Sequence, residues 1–350
     1  MERILKQDPQ LEGRGRRRAS PEDIRAIIIS PTRELAEQIG AEATRLASRT
    51  GIKVQLAVGG TMKNMMLRKV QSEGCHLLVG TPGRLRDILS DEYSRVRAPL
   101  LNTFVLDEAD RLLDAGFSAE IEDIKSLLPN SMQIERQTML FSATIHPDIV
   151  NLVRRTLRPG FKFVQCVRPD EEPTHERVPQ KLVRLGGLEN QMPALVELCK
   201  REMEASVAGE KKPFKAMIFY NSTAEVSLAR ETLDSMRGPD GRSLMSPASI
   251  IEIHSKLSQG QRTRASESFR RATSAVLLTT DVTARGMDFP DVTHVIQVGL
   301  PQNSDSYVHR LGRTARAGKE GEGWLFISPL EEKEARGRLR EMKTLRLDSS

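Results

Sequence analysis

Cysteine is scarce in this 350-residue chain: Cys75, Cys166 and Cys199 stand far apart. Their spacing fits neither a zinc site nor a disulfide framework, which points to a reducing, intracellular compartment. No apolar run approaches the roughly 18 residues that a membrane span needs. The opening MERILKQDPQ carries acidic side chains and lacks an apolar core, so it does not read as a signal or transit peptide. Nor does one sign of charge dominate, since 53 Lys and Arg face 47 Asp and Glu, a net charge of +6. That surplus permits a polyanionic partner without requiring one. Short repeats and low-complexity tracts are also missing. Apolar residues are present at 38%, enough to bury a core in each of two ordinary domains.

Short β-rich apolar runs alternate with helical patterns. Runs at Ala26 to Ser30, Val54 to Val58, His76 to Gly80, Thr103 to Leu106 and Gln137 to Phe141 are nearly continuous in hydrophobicity. This fits strands buried on both faces of a parallel sheet. Leu35, Ile39, Ala43 and Leu46 recur at helical spacing and predict one apolar stripe. The polar, proline-rich stretch Arg168 to Gln180 reads as a linker. The alternation then restarts, with strands at Ala216 to Tyr220, Ser249 to His254, Ser274 to Thr280, His294 to Val298 and Trp324 to Ser328. Ser222 and Glu225 have capping-box spacing, and Met236 to Ser249 reads as a surface loop. The fold class is α/β, in two halves.

Asp107-Glu108-Ala109-Asp110 follows an apolar strand. Carboxylates at the carboxyl end of a parallel strand sit where α/β sheets bind ligands. One can hold Mg²⁺, and its neighbour can orient or deprotonate an attacking water. The plainer reading is a solvated acidic helix start. Pro31-Thr32-Arg33-Glu34-Leu35 opens a helix directly after a strand, where backbone N–H groups and Arg33 can hold a nucleic-acid phosphate. Gly59-Gly60, Thr81, Gly83 and Arg84 can bring backbone close to a ligand, or can be ordinary turns. Arg313 and Arg316 are spaced to share one side of a helix. Their guanidinium groups suit phosphate, and a surface salt bridge is the alternative.

These segments occur in order with Thr81-Pro82-Gly83-Arg84-Leu85, Ser142-Ala143-Thr144, Gln259-Gly260-Gln261-Arg262, Thr280-Asp281, Ala284 to Asp288 and His309-Arg310-Leu311-Gly312-Arg313-Thr314-Ala315-Arg316. Together they resemble the DEAD-box family of RNA-dependent ATPases over nearly the whole chain. The resemblance implies two tandem RecA-like domains, parallel sheets flanked by helices, over residues 1–167 and 181–350, joined by a linker at 168–180. It implies ATP and Mg²⁺ as cofactors and RNA as partner, held through its sugar-phosphate backbone. On this basis Asp107 would place Mg²⁺ and Glu108 would orient water. Arg313 and Arg316 would be arginine fingers, Asp288 would hold the ribose, and Phe219 would lie near the nucleotide. Thr32, Arg33, Gly60, Thr81, Gly83, Arg84, Arg262, Thr280 and Gly286 would contact RNA. Asp110, Ser142, Thr144, His309 and Arg310 would couple the domains, Arg310 by bridging to the Asp107-to-Asp110 segment.

The sequence departs from the family at its start. No G-x-x-x-x-G-K-[ST] is present; the one Gly-Lys pair is Gly318-Lys319, followed by Glu320. In the family the phosphate loop and an adenine-reading segment precede the position of Met1, so the first sheet is expected to lack a central strand. The chain thus reads as a fragment or shortened gene product. Ala315 stands where many relatives have Gly. With Gly286 to Pro290 and Ala317 to Gly321, it resembles the fungal mitochondrial branch that assists intron splicing and translation. The basic run Arg14, Arg16, Arg17 and Arg18 reads as a solvated surface loop. The expected function is ATP-dependent unwinding or remodelling of RNA duplexes, in which ATP and RNA together close the two domains. The alternative, favoured for these 350 residues by the missing loop, is a non-catalytic RNA-binding fragment or isoform. A DNA helicase fits the motif set less well.

Overall fold

The computed structural model describes residues 1–13, 19–60, 62–130, 134–145, 147–166, 178–281, 288–316, 319–332 and 334. The basic run at 14–18, most of the expected linker and Gly286 lie outside these residues. The chain divides into two compact units, Met1–Val164 and Gln165–Ser350.

The first unit holds a five-stranded parallel sheet. Its strands are β1 (Ala26–Ile29), β2 (Val54–Ala57), β3 (Leu77–Gly80), β4 (Thr103–Leu106) and β5 (Gln137–Leu140), in the order β2-β3-β1-β4-β5. Alternate residues of β1 serve opposite faces. Ile27 and Ile29 pack with Leu78, Phe104 and Leu106 against Leu85 and Ile88 of α4 (Pro82–Ser90), Leu112 of α5 (Ala109–Asp114) and Ile121 of α6 (Ser118–Ser126). Ala26, Leu77 and Val79 face α2 (Arg33–Ala47) and Ile4 of α1 (Glu2–Gln7). α3 (Lys63–Glu73) and α7 (Pro147–Thr156) complete the unit. β5 pairs with β4 alone among the described residues; Gln137 is exposed, and the rest of the strand is only half-buried.

The stripe expected on α2 is shifted. Its buried face is Ala36, Gly40, Ala43 and Ala47, while Leu46 is 63% exposed. Small residues let the helix axis approach the sheet, and a Cβ on Gly40 would stand 2.5 Å from Leu56 Cδ2. Hydrophobicity alone ranked leucine above alanine, whereas close packing ranked them the other way.

The second unit holds a six-stranded parallel sheet. Its strands are β6 (Gln180–Arg184), β7 (Lys215–Phe219), β8 (Ser249–Ile253), β9 (Ala275–Thr279), β10 (His294–Val298) and β11 (Glu322–Ile327), in the order β6-β11-β10-β7-β9-β8. β7, β9 and β10 are buried throughout. One face packs on α8 (Gln191–Val207) and α9 (Thr223–Ser235), and Phe269 of α10 (Gln259–Arg271) covers the other. The capping box at Ser222 and Glu225 forms on α9, and a second, at Ser258 and Gln261, opens α10. β6 begins where the linker was expected to end, because Leu182-Val183 is too short an apolar run to stand out. α11 (Ser304–Leu311) stops before Arg313 and Arg316, so those two arginines do not share a helix face. Gly312 closes the helix and Ala315 turns the chain with φ 53°. No helix of the described residues is long and apolar enough to cross a membrane.

Candidate functional site

Because all five strands of the first sheet are parallel, their carboxyl ends share one edge. Ile29 stands level with Gly80 and Leu106, and Leu106 with Leu140. Pro31 and Arg33 after β1, Gly59 after β2, and Thr81, Gly83 and Arg84 after β3 line a shallow cavity of about 370 Å³. Three segments separated in sequence thus meet at one surface. Thr32 caps α2, its Oγ1 accepting from Leu35 N–H at 3.3 Å, and Gly60 takes φ 76° beside the cavity. A Cβ on Gly59 would stand 2.8 Å from Arg33 Nη2, so glycine is what lets the guanidinium lie across this backbone. Thr81 is the N-cap of α4 but makes no side-chain cap bond. Arg84 Nε lies 3.7 Å from Asp87. Two guanidinium groups beside a helix N-terminus make a surface suited to phosphate. Phe117 also lines the cavity and carried no motif signal; the turn at Gly116, φ 79°, sets the chain's direction just before it.

Asp107 and its neighbours occupy the next position along the edge. Asp107 N–H bonds Ile29 O, and Ala109 N–H bonds Phe141 O, each at 2.9 Å, which ties this turn to β1 and to the end of β5. Glu108 takes a left-handed backbone, φ 47°, and its carboxylate lies 3.6 Å from Arg111 Nε. Burial pushes the Asp107 carboxyl above its usual pKa, against the pull of a bond from Glu108 N–H; Asp110 adds to the rise. Thr144 Oγ1 donates to Asp110 Oδ2 at 3.4 Å, and Ser142 Oγ donates to Thr144 O at 2.8 Å. Asp110, Ser142 and Thr144 are therefore joined within this unit.

In the second unit Phe219 is buried at the end of β7, and Thr280 is buried just past β9. Arg262 on α10 donates to Gln259 Oε1 at 2.5 Å. Arg316 pairs with Asp288 at 2.5 Å, so two expected nucleotide residues meet, and its Nε caps Gly312 O at 2.8 Å. Arg313 Nε donates to His309 O at 3.1 Å, and His309 is half-buried. Arg310 differs from expectation: its Nε and Nη2 donate to Asp281, and Nη2 also to Asn221, both of its own unit. The motif had contained Asp281 without a role for it, and Asn221 gave no signal at all.

Away from this edge, Glu202, His294 and Glu322 bring ligand-type atoms within 4.8 Å of one another. Lysines already supply the cation there: Lys211 Nζ lies 2.6 Å from Glu202 and 3.3 Å from Glu322, and Lys181 Nζ lies 2.9 Å from Glu322. His294, then Lys211, hold the Glu202 carboxyl well below the usual range.

Comparison with known proteins agrees with this layout. Residues 10–152 match the DEAD/DEAH box helicase family model, and residues 194–318 match that of the helicase conserved C-terminal domain. The chain is 56% identical over 325 residues to the mitochondrial ATP-dependent RNA helicase mss116 of Aspergillus fumigatus, covering 92% of this chain and 50% of that protein. It is 50% identical to the mitochondrial ATP-dependent RNA helicase cyt-19 of Neurospora crassa, covering 97% of this chain and 54% of that one. The chain thus spans about half the length of these curated relatives. Among solved structures it resembles Mss116p bound to ssRNA and AMP-PNP, with TM-score 0.81 and 32% identity over 94% of this chain and 64% of that one. Both halves of the motif set, both parallel sheets and these relatives lead to one assignment: the chain belongs to the DEAD-box helicase family.

Proposed function

We propose that this chain carries the RNA-gripping surfaces and most of the catalytic residues of an ATP-dependent RNA helicase. The observation that supports this best is the meeting of Arg33, Gly59, Thr81, Gly83 and Arg84 at one cavity. Backbone phosphate would be held there by guanidinium groups and helix N–H groups, which gives grip with little base preference. Arg262, Thr280 and Gly286 are proposed as the RNA contacts of the second unit. Asp110, Ser142, Thr144 and His309 are proposed to couple the units.

Asp107 fits a role as Mg²⁺ ligand, because its partly buried carboxylate is costly to charge and a cation would relieve that cost. Bound ATP with Mg²⁺ would supply the phosphoryl group whose transfer drives remodelling. Glu108 would orient the attacking water. Arg313 and Arg316 would stabilise charge developing on the phosphate oxygens. Phe219 and Asp288 would position the nucleotide, and Asp288 would first have to exchange its partner Arg316. The names of the mss116 and cyt-19 relatives also support a mitochondrial site of action.

Titration of labelled single-stranded RNAs of unrelated sequence at two salt concentrations tests the grip. Affinities should agree between sequences and fall as salt rises. Arg33→Ala and Arg84→Ala should each lower the slope of log affinity against log salt by about 0.7. One preferred sequence, bound independently of salt, would contradict the reading. Because the 350 residues contain no G-x-x-x-x-G-K-[ST], hydrolysis is to be measured with a phosphate-loop segment joined upstream. RNA should stimulate it, and Glu108→Gln should abolish it.

A further inference from the structure

Among the described residues Arg310 is the bulkiest fully buried side chain, 1% exposed. A guanidinium out of water needs a counter-charge and hydrogen-bond acceptors. Nε donates to Asp281 Oδ1 and Nη2 to Asp281 Oδ2, each at 2.7 Å. Nη2 also donates to Asn221 Oδ1 at 3.0 Å, and the guanidinium lies 5.5 Å from the centre of the Phe219 ring. Three elements meet at this group: α11, the end of β7 and the residue that follows Thr280 at the end of β9.

Charge balance alone does not need this arrangement, since a carboxylate on any neighbouring element would neutralise Arg310. The carboxylate used is covalently next to Thr280, and it is held by both oxygens. A two-bonded fork fixes orientation as well as distance. Arg310 in turn leads into the segment where Arg313 Nε bonds His309 O and Arg316 Nε bonds Gly312 O. Displacement of the Thr280 backbone would thus be passed to the segment that bears both half-buried arginines. We infer that Asp281 is a positioning residue. Its fork with Arg310 locks the RNA-contact end of β9 to the arginine-bearing end of α11, so that the two act as one rigid joint. This rests on the proposed function, because it takes Thr280 as an RNA contact.

The test uses the 350-residue chain and three measurements, made well below the melting temperature of the weakest variant. These are melting temperature, amide exchange at Thr280, and anisotropy of a labelled single-stranded RNA. Asp281→Asn keeps the shape and loses the charge. It should speed exchange at Thr280 and weaken RNA binding about tenfold, as loss of a charged hydrogen-bond pair does. The double variant Asp281→Asn/Asn221→Asp moves the carboxylate to the other acceptor of Arg310 Nη2. Charge is restored there but the tie to β9 is not. Melting temperature should recover in part, short of wild type because residue 221 no longer donates to Leu300 O, while exchange and RNA affinity stay as in Asp281→Asn. A merely structural ion pair predicts instead that all three recover together, and that result overturns the inference. So does unchanged Thr280 exchange, or RNA affinity within twofold of wild type, in Asp281→Asn. If the wild-type chain fails to bind RNA, the proposed function fails, while exchange at Thr280 still reads the joint.

Discussion

A left-handed backbone at a non-glycine residue costs about 1–2 kcal/mol, and Glu108 and Ala315 both adopt one. At Glu108 the strain sits at a proposed catalytic position, where such costs are usually retained for geometry. At Ala315 the methyl group packs at the margin of the Tyr307, Leu311 and Leu325 cluster, a smaller gain than the cost of its backbone. Ala315→Gly should therefore stabilise the second unit by about 1 kcal/mol, visible as a higher urea midpoint; a lower midpoint would show that the methyl packs better than its backbone suggests. Asp107 illustrates the opposite tension. Burial raises its pKa, so the folded state carries a cost that is present above the folded pKa and disappears as pH falls below the ordinary carboxylate value. Asp107→Asn should raise the melting temperature of the ligand-free chain at neutral pH and abolish Mg²⁺-dependent hydrolysis in the loop-bearing chain. A melting temperature that falls would remove the argument from burial. Asp107 and Glu108 could be singled out in sequence as candidates, because phosphate and metal chemistry dictates residue type. The partners of the arginines could not. Arg310 choosing Asp281, and Arg316 choosing Asp288, follow from packing that no spacing rule encodes.

At the scale of elements, every strand but β6 was legible to within a residue or two, because burial leaves continuous apolar runs. Helix faces were less so. On α2, Leu46→Gln should change stability by less than about 0.5 kcal/mol, as at other exposed sites. Ala43→Leu should cost about 1–3 kcal/mol through overpacking against the sheet. Chemical denaturation of both variants checks the pair, and a reversed order would restore the leucine stripe. The start of β3 carries a pH dependence. His76 is buried, its Nδ1 accepts Lys53 N–H at 2.9 Å, and burial pushes its pKa down. The neutral ring is the one that fits. Stability is therefore complete above the ordinary value of about 6.5 and is lost as pH falls through it, since the unfolded chain takes up a proton that the folded chain resists. His76→Asn, which keeps an acceptor where Nδ1 stands, should flatten this decline between pH 7 and pH 5.5 in urea melts. An identical decline in the variant would assign it elsewhere.

For the molecule as a whole, two α/β units and the order of their motifs could be read from the sequence, while the strand β6 and the ends of α11 could not. β6 has too few apolar residues to signal itself, and α11 ends where Gly312 permits rather than where the arginine spacing implied. One feature of the first sheet bears on handling the protein at all. β5 is uncharged from Gln137 to Leu140, half-buried, and paired on one side among the described residues. Its outer row of backbone donors and acceptors is a template on which an extended chain can add, which in solution means another molecule. The 350-residue chain should therefore self-associate as its concentration rises, by strand addition rather than by contact of folded surfaces. Thr138→Lys would place a charge on that edge, and light scattering at matched concentration should fall. Equal scattering from both proteins would mean that the edge is already covered, and that whatever covers it is holding the sheet in solution.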